Sequence, residues 1–154
     1  MSEVKDCKYR KHQEKAMELF KSGCNCAQTV LGAFTDETNM DMEFSLRMAS
    51  SFGGGMGRLR EVCGAVSAMF MIAGIKYGYS DLKDKEAKDN HYKLIQDLAE
   101  KFKSQAGSII CRELLNLPDG ADNPISAERT KEYYSKRPCE ELCGLAAKII
   151  DENL

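Results

Sequence analysis

Seven cysteines, Cys7, Cys24, Cys26, Cys63, Cys111, Cys139 and Cys143, stand out in a chain of 154 residues. Thiolates bind soft metals and iron–sulfur clusters, attack electrophiles and exchange with disulfides. An odd count argues against a complete disulfide framework, and in a reducing compartment clustered cysteines bind metal or do redox chemistry. With only two histidines, His12 and His91, thiolates must dominate any metal site. The chain has no C-x-x-C-H, so its sequence lacks the usual signature of covalent c-type haem attachment.

The elements that must position these sulfurs read as helices. Residues 7–23 carry Tyr9, Ala16, Met17, Leu19 and Phe20 at helical spacing and stop at Gly23. Asn25 is a candidate N-cap for the next helix, "NCAQTVLGAF". A third helix, residues 40–52, has a stripe of Met40, Phe44, Leu46 or Met48, and Phe52. "GGGMGRLRE" breaks regular structure, and an apolar helix then runs over 62–77 to Gly78. Residues 84–107 form a long amphipathic helix whose buried face is Tyr92, Leu94, Ile95, Leu98, Ala99 and Phe102. "SIICRELLNL" is a short helix capped by Ser108. Residues 118–138 are loop-like with room for one more helical turn, and Pro138 precedes the final helix, 139–154. No strand alternation occurs. The expectation is an all-α fold, one domain over 1–154, built as a compact bundle of about six to seven helices.

On that map Cys26, Cys63, Cys111 and Cys139 each fall in or beside the first turn of a helix. Helix starts present unpaired N–H groups and the positive end of the macrodipole, which lowers thiol pKa values and favours thiolate. Four such ends converging would hold an anionic iron–sulfur centre. Their wide spacing means that the fold, not a local knuckle, has to assemble the site. The competing reading is four small buried hydrophobes. Cys7 reads as a bystander on the first helix. Cys24 could assist Cys26, and Cys143, one turn beyond Cys139, is an auxiliary thiol or core filler.

Four segments, "SGCNCAQTVLGAF", "ASSFGGGMGRLREVCGAVSAMFMIAGIKYG", "SIICRELL" and "CEELCGLAAKIIDE", occur in an order that resembles the redox-active proteins named for a C_GCAxxG_C_C pattern. The resemblance covers roughly residues 16–151 and matches Cys26, Cys63, Cys111 and Cys139 to the four family cysteines. Ala68 stands where the CGAxxG motif has its last glycine, which implies slightly altered packing. The resemblance implies a redox role. A related domain of split-Soret cytochromes carries an iron–sulfur centre beside haem, and only the cysteine site could carry over here.

"FGGGMGR" lacks the G-K-[ST] ending and the preceding strand of a phosphate loop. Its glycines, Gly53, Gly54 and Gly55, and Gly64 of the C-G-A segment are instead expected to bring backbone N–H groups to the cysteine site. Arg58 and Arg60 either add positive charge there or are solvated. The methionines Met40, Met42, Met48, Met56, Met69 and Met71 read as core filler. The readings are an iron–sulfur cluster, a metal-free protein that works by thiol–disulfide exchange, or a structural or adaptor bundle with zinc in a four-thiolate site or passive cysteines. The net charge of −2 gives no nucleic-acid face, and the longest apolar stretch, 62–75, is too short for membrane insertion. A charged start without an apolar run points to a cytoplasmic protein. The partners expected are a redox partner that the sequence does not identify and, through the methionine-rich helix, a second copy in a homodimer.

Overall fold

The computed structural model describes residues 2–154, with side chains from 11 onward. Cys7 and Tyr9 therefore have side chains outside the described residues. Nine helices follow one another, and the described residues contain no strand. They are α1 (Ser2–Lys21), α2 (Cys26–Ala33), α3 (Thr35–Thr38), α4 (Met42–Ala49), α5 (Gly64–Tyr77), α6 (Lys85–Ala106), α7 (Cys111–Leu114), α8 (Lys131–Lys136) and α9 (Cys139–Asn153). The count exceeds the expected six to seven because α3 and α8 are four and six residues long. Such pieces span too few turns to show a hydrophobic period. None of the described helices is long and apolar enough to cross a membrane.

Local signals explain most boundaries. Gly23, at φ 111°, follows α1, and Asn25 opens α2 with a capping box: its side chain accepts from Gln28 N while Gln28 Oε1 accepts from Asn25 N. Asp41 and Asp84 cap α4 and α6, and Gly107 ends α6 in the left-handed region. Ser108 is not the cap of α7. Ile110 holds that position, and Ser108 Oγ accepts from Ile110 N in a tight turn. The apolar α5 begins at Gly64 rather than 62, because the backbone of 61–63 is occupied elsewhere.

The core joins Ala16 and Phe20 of α1, Val30 and Leu31 of α2, Val66, Met69 and Ile72 of α5, Leu98 and Phe102 of α6, and Ala146, Ile149 and Ile150 of α9. Two expected faces are corrected. On α4 the buried residues are Ser45 and Ala49, while Phe44 and Met48 are exposed. The reason is the phase of the helix: α4 meets α2 at Gly32 through Met42 and Leu46, since a Cβ there would lie 3.2 Å from Met42 Sδ and 3.5 Å from Leu46 Cδ2. The core-facing row is thus Met42, Ser45, Leu46 and Ala49 at i, i+3, i+4 and i+7, which puts Phe44 and Met48 on the outer side. On α6 only Leu98 and Phe102 are fully buried, and Tyr92 is exposed. The methionines are likewise not uniform filler: Met69 is fully buried, whereas Met48 faces solvent.

Between α4 and α5 the chain makes a 3-10 turn (Ser50–Phe52) and then a left-handed turn. Gly54, Gly55, Met56, Gly57 and Arg58 all have φ between 59° and 69°. Each non-glycine residue in that region costs about 1–2 kcal/mol, so this turn persists only because its surroundings hold it. The segment leaving it pairs with the approach to α7: Cys63 N donates to Ile109 O (2.8 Å), Cys111 N to Glu61 O (2.6 Å) and Arg112 N to Arg60 O (3.2 Å).

Candidate metal centre

That backbone pairing sets Cys63 beside Cys111, two residues 48 positions apart in sequence. Cys63 is the N-cap of α5 and Cys111 the first residue of α7. Cys26 is the first residue of α2, fixed by the Asn25 capping box, and Asn25 Nδ2 also donates to Ser50 O (3.1 Å). Cys139 opens α9 directly after Pro138. All four cysteines expected from the sequence, and all at helix starts, line one cavity of about 60 Å³. Gly54, Gly55 and Gly64 line it too, whereas Gly53 packs under the Asn25 side chain and faces an adjoining groove.

The glycines are there because nothing larger fits. At Gly55 a Cβ would lie 2.6 Å from Cys111 Cβ, and at Gly64 it would lie 2.8 Å from Phe52 O and 3.2 Å from Cys26 Cβ. The 2.6 and 2.8 Å distances are shorter than real Cβ contacts allow, so each glycine lets backbone pass directly behind a cysteine.

Three arginines and no carboxylate line the cavity. Arg60, 3 % exposed, donates from one guanidinium nitrogen to Cys111 Sγ (3.5 Å) and from the other to Asp122 (3.1 Å), while its Nε is buried with no partner. The Arg60 hydrogen bond, with the neighbouring guanidinium charges, holds Asp122 below the usual carboxylate range. Arg129 donates to the carbonyls of Phe20 (3.1 Å) and Cys24 (2.9 Å) and stacks over Phe20 and Tyr133. Arg137 lies over the Tyr133 ring, 5.0 Å from its centroid. Arg58 is neither in the cavity nor simply solvated, since it pairs with Asp122 and donates to Asn123 O. Arg129, Arg137 and Tyr133 escaped the sequence reading; the alternation of basic and aromatic residues in "ERTKEYYSKRP" was the signal that could have found them.

The thiols themselves run against expectation. Helix starts predicted depressed pKa values, yet burial pushes the Cys63 thiol up to about 12. Cys139 is raised by its hydrogen bond with Cys26, by burial and by the Cys26 charge, with Arg137 and Arg129 pulling the other way. At Cys26 the hydrogen bond with Cys139 lowers the pKa, but the one with Cys143, burial and the charges of Cys143 and Cys63 outweigh it. At Cys26, Cys63 and Cys139 neighbouring sulfurs and low dielectric thus outweigh the helix dipole and favour the thiol form. Reduced, metal-free protein at about pH 7 should therefore react slowly with iodoacetamide at Cys63 and Cys139. Mass spectrometry of the peptides checks this, and alkylation there as fast as that of free cysteine would contradict it.

Cys143 is fully buried against this set without lining the cavity, and its Sγ approaches Cys26 O (3.8 Å). Cys24 is half-buried and likewise does not line it. Ala68, at the motif's variant position, is fully buried in the core.

Searches of curated proteins and of solved structures find no match. A family model described as "Putative redox-active protein (C_GCAxxG_C_C)" matches residues 24–153. That span takes in all four cavity cysteines and most of the chain, which belongs to the C_GCAxxG_C_C family.

Proposed function

We propose that Cys26, Cys63, Cys111 and Cys139 ligate an iron–sulfur cluster and that the protein transfers electrons or senses redox state through it. The observation that carries this reading is the cavity itself. Four cysteines from four separate helix starts line it with three arginines and no carboxylate, a setting that suits an anionic thiolate-bound centre. Cys26 and Cys139 lie within hydrogen-bond reach of each other, but the set as a whole is wider than a single ion takes. Tetrahedral zinc with Zn–S near 2.3 Å needs its four sulfurs about 3.8 Å apart. Among the described residues no three cysteine sulfurs lie within 4.8 Å of one another. A cluster interposes its own iron and sulfide atoms and so spans more widely set ligands.

When bound, such a centre supplies reversible one-electron chemistry. The protein's part is to release the thiol protons on loading, to hold the Cys111 sulfur by the Arg60 N–H, and to limit water with Phe20, Leu114, Leu115 and Leu142. Protein prepared without oxygen should be brown, with iron and acid-labile sulfide in equal amounts. Cys63→Ser or Cys139→Ser should remove most of the visible absorption. Colourless, iron-free protein after anaerobic reconstitution would end this reading.

One observation favours a second reading. The Cys26 thiol hydrogen-bonds both Cys139 and Cys143, so these sulfurs are near enough to invite disulfide formation. In that case two thiols give two electrons and two protons to an oxidised partner disulfide. Loss of two hydrogens in intact mass on treatment with oxidised glutathione, reversed by dithiothreitol, would support it.

A further inference from the structure

Outside the cysteine cavity lies a second, wider hollow of about 250 Å³, and the two share Asn25, Gly54, Arg60, Arg129, Tyr133 and Arg137. We propose that this hollow is a binding site for a small oxyanion, a phosphate or carboxylate group, held at the mouth of the cysteine site by Arg58, Arg129 and Arg137.

Charge is the first argument. Four guanidiniums line the hollow, from Arg58, Arg60, Arg129 and Arg137, and no Asp or Glu does. One carboxylate, Asp122, serves both Arg58 and Arg60. Arg129 hydrogen-bonds two backbone carbonyls, which are neutral acceptors, and makes no ion pair among the described residues. Arg137 contacts the face of Tyr133 and makes no ion pair among the described residues. A hollow with such an excess of positive charge, in partly buried surroundings, is stabilised by an incoming anion.

The second argument is an orphaned donor. Arg60 is 97 % buried, and its Nε has no hydrogen-bond partner although both terminal nitrogens are engaged. A buried donor without an acceptor is costly, and Arg60 lines the hollow, so an anion seated there stabilises a guanidinium whose donors are not all satisfied. The volume exceeds what one oxyanion needs, since water in the liquid takes about 30 Å³, so the group can belong to a small organic molecule. The proposal concerns this outer hollow and holds whether the cysteines carry a cluster, a disulfide or free thiols.

Titration of the reduced, metal-free full chain with inorganic phosphate and, separately, with acetate tests it by backbone amide NMR at constant ionic strength. Saturable shifts at Gly53, Gly57, Arg58, Ser126 and Ala127 with either anion are expected, and whichever saturates first tells tetrahedral from planar recognition. Arg137→Gln should weaken binding about tenfold, and Arg137→Lys should restore part of it. Arg58→Gln is a second variant at an accessible position. Shifts that chloride reproduces equally, or that neither glutamine variant reduces, would overturn the proposal. Because the readout involves no metal, its failure leaves the cluster reading standing, and a colourless protein leaves this one standing.

Discussion

A single methyl group at position 55 is expected to abolish loading of the cysteine site while leaving the bundle folded. Gly55 sits at φ 68°, and a Cβ there would lie 2.6 Å from Cys111 Cβ, 2.8 Å from Glu61 N and 2.9 Å from Arg60 Cα. Two of those three neighbours belong to residues that line the cavity, and the third is part of the pairing that holds Cys63 next to Cys111. All are backbone or Cβ atoms, which cannot swing aside as a flexible side chain would. Gly55→Ala must therefore move Cys111, Arg60 or both. Gly57→Ala separates this clash from simple backbone strain. It has the same left-handed conformation, φ 59°, but its Cβ would meet nothing closer than Ser51 O at 3.9 Å. Both variants carry about 1–2 kcal/mol of strain, a fall in Tm of roughly 2–8 °C for a chain of this size. Only Gly55→Ala should also lose iron and sulfide after anaerobic reconstitution. Equal loading in the two variants would show that the close approach of the loop does not set the position of Cys111.

How much of this site was legible in the sequence depends on the range of the interaction that builds each part. The Asn25 cap, the stop at Gly23 and the break at the glycine loop are local and were read correctly, because the residues that decide them lie within one turn. The placement of four cysteines at helix starts follows from the same signals. The adjacency of Cys63 and Cys111 does not, for it comes from backbone pairing of 60–63 with 109–112, too short for an alternating pattern. Arg129 and Arg137 flank a six-residue helix within a stretch that has no apolar period, so nothing local announced that Arg129 folds back onto Phe20 and Cys24 or that Arg137 covers Tyr133. The pKa direction failed for a different reason. A helix start predicts an easier thiolate only if the sulfur stays wet and alone, and here burial and sulfur neighbours dominate. The stripe on α4 was misplaced because two members of the core-facing row Met42, Ser45, Leu46 and Ala49 are small, and one of these is polar, so the bulkier Phe44 and Met48 stood out instead.

The largest loss of stability should come from a residue that the sequence reading left idle. His12 is 2 % exposed and stacks on Phe34, with ring centroids 4.2 Å apart. Its Nδ1 lies 2.9 Å from Asp151 and its Nε2 2.9 Å from Asp36, so each ring nitrogen faces a carboxylate. Ionised carboxylates only accept, and both nitrogens must then carry protons: His12 is an imidazolium tying α1 to α3 and α9. Burial alone would lower its pKa, but hydrogen bonds to Asp151 and Asp36 and their charges raise it above the ordinary value. Glu37, which pairs with Lys76 at 2.9 Å, adds a further carboxylate nearby. The raised pKa gives the sign. Protonated His12 stabilises the fold fully below about pH 6.5, the unfolded value, and that stabilisation is lost as pH rises through the higher folded value. His12→Phe would strand Asp151, whose side chain is 1 % exposed, and removing one partner of a buried pair costs about 3–5 kcal/mol. Thermal unfolding should show Tm lower by roughly 6–20 °C at about pH 6, and the gap to the wild type should narrow as pH rises. His12→Phe combined with Asp151→Leu should recover most of the loss, since replacing both charges by apolar groups is often close to neutral. If the double variant is as unstable as the single one, packing around the ring rather than its charge holds these helices together.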